Sequence, residues 1–144
     1  MDVLTHLTEE HRKVEAMLAV LADSEPGDER ESTVWELEEA LATHMLVEEQ
    51  FVYPIVKEDL GTKEFVGASN EHDLTRAALQ ELRNLIDQPG FGGAVEALAG
   101  GLRHHVDEEE KQIFPALRDQ AFSKIEALGD PDQLEAAVEE GSAL

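Results

Sequence analysis

Cysteine is absent from the 144 residues, which removes several kinds of chemistry at once. Without thiols the chain forms no disulfides, no thiolate metal sites and no thiol-dependent active site. Histidine, aspartate, glutamate and tyrosine remain as side-chain metal ligands. Long apolar runs are also missing: no stretch of about 20 apolar residues predicts a membrane-spanning helix. The first residues are acidic and resemble no secretory signal, so a cytoplasmic protein is expected.

Basic residues are scarce as well. The chain has 11 lysines and arginines against 33 aspartates and glutamates, and its formal net charge is −22. Nucleic acids and anionic membranes bind positively charged surfaces, so neither is an expected partner, whereas cations are attracted. The sequence does not identify a protein partner. A chain of this length predicts one domain with one core.

Apolar residues recur at spacings of three and four along four segments, which predicts amphipathic helices. These helices are expected over roughly residues 3–22, 33–58, 63–87 and 93–121. Pro54 lies inside the second helix and is expected to loosen the turn around Gln50, because proline removes a backbone hydrogen bond. Gly100 and Gly101 either weaken the fourth helix or permit close helix contact. Residues 122–144 are predicted to form a short helical extension.

One pattern occurs twice, as HMLVEEQFVYP at residues 44–54 and HVDEEEKQIFP at residues 105–115. In each copy a glutamate follows a histidine by four residues, and a proline follows six later. The same offset of 61 residues relates His11 to His72 and superposes many aliphatic positions. Two copies of a helical hairpin explain this offset. Since one hairpin cannot bury its apolar face, residues 1–121 are predicted to form an all-α, up-down-up-down four-helix bundle.

The inward helix faces carry four histidines and two glutamates. These candidate metal ligands are His11, His44, Glu48, His72, His105 and Glu109. Buried carboxylates need compensation, and no inward lysine or arginine supplies it, so a pair of metal ions is predicted. Two six-coordinate ions with these ligands and a bridging oxide or hydroxide retain two open positions. The donors suit iron or manganese, with zinc as an alternative, and the open positions suit dioxygen, peroxide or nitric oxide.

Alternative interpretations apply to several residues. A single inward histidine is usually a hydrogen-bonded core residue, but six inward ligands together favour metal. A ferritin-type site would place histidine three residues after glutamate and would need four glutamates. His6 and His104 are predicted to lie on the surface. Tyr53 is predicted to pack, with a role at the metal as an alternative, and Glu49 and Glu110 are predicted to be solvated, with Glu110 an alternative ligand to Glu109. No residue is predicted to be a catalytic nucleophile.

Four segments in order resemble the hemerythrin-like, or HHE cation-binding, family: EEH at residues 9–11, HMLVEEQFVYP, NEH at residues 70–72, and HVDEEEKQIFP. The resemblance covers about residues 3–120. It implies a four-helix bundle that holds a non-haem diiron centre through the six candidate ligands.

The sequence departs from the oxygen-carrying members of this family at two positions. Those proteins have a further histidine where Arg76 stands and an aspartate where Glu110 stands. The departure favours peroxide or nitric oxide chemistry, or sensing, over reversible oxygen carriage. The expected function is therefore a diiron protein that binds or reacts with a small oxidant or gas. A peroxide-decomposing, catalase-like enzyme and an iron-sensing adaptor are the alternatives.

Overall fold

The computed structural model describes residues 1–142, and all regular structure in that range is helical. The α-helices are α1 (Val3–Ala22), α2 (Asp28–Val47), α3 (Tyr53–Ile55), α4 (Thr62–Asn84), α5 (Phe91–Glu108), α6 (Phe114–Gln120), α7 (Phe122–Ala127) and α8 (Pro131–Ser142). Helix α1 packs against α2 and α5, and α4 packs against α5. The predicted all-α class is confirmed. None of the helices in residues 1–142 has the length and apolar character needed to cross a membrane.

The predicted second and fourth helices are interrupted by wider, π-helical turns. These turns span Glu48–Val52, Val56–Leu60 and Glu109–Ile113. The first and third precede Pro54 and Pro115, which have no N–H to donate to the carbonyl four residues back. The backbone widens instead, so that the N–H of Tyr53 bonds the carbonyl of Glu48 and the N–H of Phe114 bonds that of Glu109. The loosened turn predicted near Gln50 is therefore a π-helical turn that begins at a candidate ligand.

The predicted start of the second helix is wrong, and so is the close-contact alternative for Gly100 and Gly101. Helix α2 begins at Asp28, five residues before the predicted start near Thr33, directly after Gly27 with its φ of 147°. Acidic residues in that first turn favour the early start, because the N-terminal end of a helix attracts negative charge. Gly100 and Gly101 are exposed, and a Cβ at either position would meet no atom within 4 Å. They therefore do not mediate close helix contact.

The apolar core is divided into two clusters with a polar layer between them. Along α1, Leu7 belongs to one cluster and Val14 to the other, and His11 lies between them. Along α2, Met45 belongs to the second cluster and Val47 to the first, beside His44. The inward polar residues thus occupy a layer that is closed by aliphatic side chains on both sides.

The predicted extension contains α7 and α8, while Ala143 and Leu144 lie outside the described residues. Ile125, Leu134 and Val138 are buried in the same cluster as Leu7, and α8 contacts α2. The extension therefore covers one end of the core. It also approaches the polar layer, because Glu135 hydrogen-bonds His6 at 2.6 Å.

Candidate metal centre

The six candidate ligands meet in the polar layer. Glu48 and Glu109 have 0% of their surface exposed, and the four histidines are also buried. Their ligand atoms form two groups, His11 with His44 and Glu109, and His72 with His105 and Glu48, each with all atoms within 4.8 Å of one another. In each group the histidines come from one hairpin and the glutamate from the other. Each glutamate therefore connects the two halves of the bundle.

Each carboxylate lies between histidines of both halves. Glu109 presents Oε1 to Nε2 of His11 at 3.2 Å and Oε2 to Nε2 of His105 at 3.3 Å. Glu48 Oε1 lies 3.2 Å from Nε2 of His44 and 3.0 Å from Nε2 of His72. Each carboxylate therefore lies within reach of the histidines of both groups, and each group could hold a metal ion.

Three buried polar atoms in this layer lack a hydrogen-bond partner: His11 Nε2, Glu48 Oε2 and Glu109 Oε1. Although His11 Nε2 and Glu109 Oε1 lie 3.2 Å apart, their orientation does not make a hydrogen bond. Buried polar atoms without partners are rare because each one loses its hydration without compensation. All three belong to candidate ligands, so a metal pair would satisfy them. Histidine and carboxylate donors also match the preferences of first-row transition metals.

Every candidate histidine is held from behind by a second carboxylate. The Nδ1 atoms of His11, His44, His72 and His105 lie 2.7, 3.0, 2.6 and 2.6 Å from Glu110, Glu10, Glu49 and Glu71, respectively. A carboxylate that accepts from Nδ1–H leaves Nε2 as the metal-binding nitrogen and fixes the orientation of the ring. The prediction that Glu49 and Glu110 are solvated is wrong. The offset of 61 residues relates Glu49 to Glu110 and Glu10 to Glu71, and this signal was present in the sequence.

Two arginines support these outer carboxylates. Arg12 forms an ion pair with Glu110, and Arg76 forms one with Glu49 at 2.6 Å. Arg76 stands where oxygen-carrying hemerythrins have a further histidine, and its guanidinium is bound to Glu49 and to the exposed carboxylate of Asp73. It therefore acts on the centre only through Glu49, which holds His72.

The other two outer carboxylates each belong to a small acidic cluster. Glu10 pairs with Glu135 beside His6, and Glu71 pairs with Glu108 beside His104. The hydrogen bond with Glu10, followed by burial, raises the pKa of Glu135. Burial, followed by the hydrogen bond with Glu71, raises the pKa of Glu108. Each outer carboxylate that holds His44 or His105 is therefore itself hydrogen-bonded to a second carboxyl group.

The surface prediction for the two remaining histidines is half correct. His104 is 68% exposed, as predicted, and its Nε2 lies 3.2 Å from Glu108. His6 is only 17% exposed, because Glu135 of α8 covers it. His6 lies off the apolar stripe of its own helix, and nothing in that helix indicates that α8, which is distant in sequence, covers it.

Tyr53 lies inside the centre and not merely in the core. Its buried hydroxyl donates to Glu109 Oε2 at 3.0 Å and lies 3.0 Å from His72 Nε2 and 3.3 Å from His105 Nε2. Burial, followed by the negative charge of Glu48, raises the pKa of Tyr53 well above its usual value, so the hydroxyl stays protonated. Packing alone was the wrong expectation, and the alternative role at the ligands is what the contacts favour.

The residue equivalent to Tyr53 is Phe114, so the two halves differ. The ring of Phe114 stacks on His11 with centroids 6.3 Å apart and an interplanar angle of 8°. The His72 half therefore receives a hydroxyl where the His11 half receives an aromatic ring. The centre is symmetric in its six ligands and asymmetric around them.

The metal-free ligands carry charge of both signs. Burial opposes the protonated form of His44, but the charge of Glu48 and the hydrogen bond to Glu10 outweigh it and raise the pKa of His44 to about 10. Burial also opposes protonation of His105, and the charge of Glu109 outweighs it, so its pKa is raised as well. The pKa of Glu48 falls well below its ordinary value despite burial, chiefly because of the charge on His44. Protons on His44 and His105 thus stabilise the buried carboxylates.

Comparison with known proteins places these features in a family. The sequence matches the family described as "Hemerythrin HHE cation binding domain" over residues 2–117. Among solved structures, the fold is similar to that of a hemerythrin HHE cation binding domain-containing protein from Mycobacterium kansasii, with a TM-score of 0.81. The two sequences are 24% identical, and the alignment covers 99% of this chain and 90% of that one. Comparison with curated proteins gives no match.

Metal affinity is expected to rise with pH. His44, with a pKa of about 10, must lose its proton before Nε2 can bind a cation. Below that pH, each proton that metal binding displaces makes the metal affinity rise about tenfold per pH unit. Conversely, the raised pKa stabilises the metal-free fold fully below about pH 6.5, and this contribution is lost as the pH rises towards the folded value. Competition with a zinc chelator between about pH 6.5 and 8.5 measures the slope. A flat profile would contradict the protonated His44, and His44→Ala should show a shallower slope.

Replacing Glu49 by glutamine should weaken metal binding. Glu49→Gln removes the charge that holds His72 Nδ1, and loss of such an outer partner reduces metal affinity about 10–100-fold. Chelator competition measures the loss, and circular dichroism checks that the helices are retained. The control is Glu39→Gln, which changes an exposed carboxylate on α2. Equal affinities for the two variants would rule out a role for Glu49.

Proposed function

The chain belongs to the hemerythrin HHE cation-binding domain family, and we propose that it binds two iron ions, one in each group of three ligand atoms. The proposed ligands are His11, His44, Glu48, His72, His105 and Glu109. The observation that carries the proposal is the pair of facing groups with three buried, unpartnered ligand atoms. Mixed imidazole and carboxylate donors, without thiolate, suit iron, and manganese or zinc are the alternatives.

We also infer how the helices that carry the candidate ligands are arranged. The four long helical segments run up, down, up and down, and residues 1–121 form the metal-binding domain with residues 122–144 as its extension. The contacts of α1 with α2 and of α4 with α5 support two hairpins. The 61-residue offset, which holds for both the ligands and their outer carboxylates, supports a pseudo-twofold relation between them.

The proposed activity is to bind or react with a small oxidant or gas, such as dioxygen, hydrogen peroxide or nitric oxide. Iron at this site would supply open coordination positions and one-electron redox steps. The protein itself supplies a buried hydroxyl donor at Tyr53 and outer carboxylates that hold the rings of His44 and His105. These groups can stabilise negative charge that develops on a bound oxygen species.

Loss of one central histidine should reduce bound iron. His44→Ala and His105→Ala each remove a ligand nitrogen from one group and take one of the neighbouring imidazoles away from a buried glutamate. Elemental analysis of purified protein should give fewer than two irons per chain for each variant. His104→Ala is the matched control, because this neighbouring histidine is exposed and should leave two irons bound. Two irons per chain in both central variants would sink the assignment.

Peroxide decomposition is a second candidate, and the position of Tyr53 favours it. Breaking an O–O bond places negative charge on the leaving oxygen, and a hydrogen-bond donor at that position contributes about 10²–10³-fold to a rate. The Tyr53 hydroxyl is already within 3.0 Å of His72 Nε2 and Glu109 Oε2. In the balanced reaction, two molecules of hydrogen peroxide give two of water and one of dioxygen.

Hydrogen peroxide added to the anaerobically reconstituted iron protein should therefore release dioxygen over many turnovers. Tyr53→Phe should lower that rate by about 10²–10³-fold, because it removes only the hydrogen-bond donor, while elemental analysis still finds two irons. An oxygen electrode makes the measurement. A single stable spectral change without dioxygen release would instead support a binding protein and exclude the catalase-like reaction.

A further inference from the structure

A cavity of about 300 Å³ lies between α1 and α5, and its inner end is the metal centre. We call it the α1–α5 cavity. All four candidate histidines contribute to its lining. Its walls are largely aliphatic and include Val14, Leu18, Met45, Val95 and Leu102. The outer rim carries exposed residues, among them Glu15, Glu96 and Arg103, so the cavity opens to solvent.

The size of this cavity exceeds what a diatomic gas or hydrogen peroxide needs. One water molecule requires only about 10–15 Å³ of such space, so the measured volume is many times larger than a small oxidant would use. On α1 the lining extends from His11 to Ala22, which is about 16 Å at the helical rise. The cavity is therefore long as well as large, and its volume falls in the range of organic ligand sites.

The chemistry of the walls selects an apolar occupant. Among the wall residues beyond the histidines, Thr75 carries a hydroxyl, but that hydroxyl already donates to the carbonyl of Glu71. A column of water would find few hydrogen-bond partners along the aliphatic part, so an apolar chain displaces it favourably. The polar end of such a molecule would then lie at the histidines.

The negative charge of the protein favours a cavity occupant whose polar end is uncharged. The chain has a net charge of −22, and two glutamates stand at the rim, with Arg103 the one arginine or lysine in the cavity lining. Four further carboxylates surround the histidines. A fatty carboxylate would approach against this field, whereas an uncharged hydroperoxide would not.

We propose that the α1–α5 cavity binds an alkyl hydroperoxide, with its alkyl chain along the aliphatic walls and its peroxide group at the four histidines. The inference rests on the proposed function, since the peroxide is to react at the metal pair. The reaction breaks the O–O bond, takes up two electrons and two protons, and gives the alcohol and water. Bound iron, reduced beforehand with dithionite, would supply the two electrons, and solvent would supply the two protons.

The first experiment measures binding without redox chemistry. Zinc-loaded full-length protein, labelled with ¹³C at the methionine methyl groups, is titrated with n-octyl hydroperoxide. The signal of Met45, which lines the cavity, should shift, while that of exposed Met1 should not. Ala99→Leu fills the cavity from α5 and should weaken binding at least about tenfold. Ala97→Leu, an exposed position on the same helix outside the cavity, should not.

The cavity can also be narrowed at its rim, where the core is not disturbed. Ala19→Leu changes an exposed lining position on α1, and its control, Ala16→Leu, changes an exposed position outside the lining. A Met45 signal that never moves, or one that moves equally in Ala19→Leu and Ala16→Leu, overturns the proposal.

The second experiment compares two peroxides in single turnover. The dithionite-reduced iron protein is mixed with hydrogen peroxide or n-octyl hydroperoxide, and stopped-flow absorbance follows its oxidation. Ala99→Leu should lower the octyl rate relative to the hydrogen peroxide rate by at least about tenfold, and Ala97→Leu should leave the ratio unchanged. If hydrogen peroxide oxidises the reduced iron protein at the normal rate but n-octyl hydroperoxide does not bind, the cavity proposal is overturned and the proposed function is not. A Met45 shift without oxidation by either peroxide supports the apolar binding site and overturns the proposed function.

Discussion

Two carboxylates with no solvent exposure, Glu48 and Glu109, set the conditions for the rest of this structure. A buried negative charge is expensive unless cations or hydrogen-bond donors surround it. Here each carboxylate is surrounded by imidazoles from both hairpins, and each imidazole is in turn held by an outer carboxylate. The apolar clusters on either side bury the two carboxylates completely, and burial makes their polar contacts strong.

The all-α class and the meeting of the six candidate ligands on inward helix faces could be predicted because both depend on periodicity. Helical spacing identifies the inward face, and the 61-residue offset identifies the inward polar residues as one set. The family resemblance read from four sequence segments is confirmed by the match over residues 2–117. The outer carboxylates were harder to assign, because Glu49 and Glu110 each follow an inward glutamate. A residue next to an inward position is rotated by about 100° around an α-helix and so reads as solvated.

The position of Tyr53 shows where helical periodicity stops applying. In a regular α-helix, a residue five positions after Glu48 would point away from it, at about 500° of rotation. The π-helical turn at Glu48–Val52 closes with a hydrogen bond between residues five apart, so Tyr53 returns to the face of Glu48. The prolines indicated that the backbone must loosen there. They did not indicate that the wider turn would place Tyr53 on the same helix face as the candidate ligands.

The two halves reach the same contacts with different residues. By the 61-residue offset Arg12 corresponds to Asp73 and Glu15 to Arg76, yet each arginine binds the equivalent outer carboxylate. The contacts behind His44 involve the C-terminal extension as well, because Glu10, which holds His44, is hydrogen-bonded to Glu135 on α8. Such a connection is reciprocal by thermodynamic linkage. If the packing of α8 raises the affinity of the His44 half for a cation, then the bound cation stabilises the packing of α8 on the bundle by the same free energy.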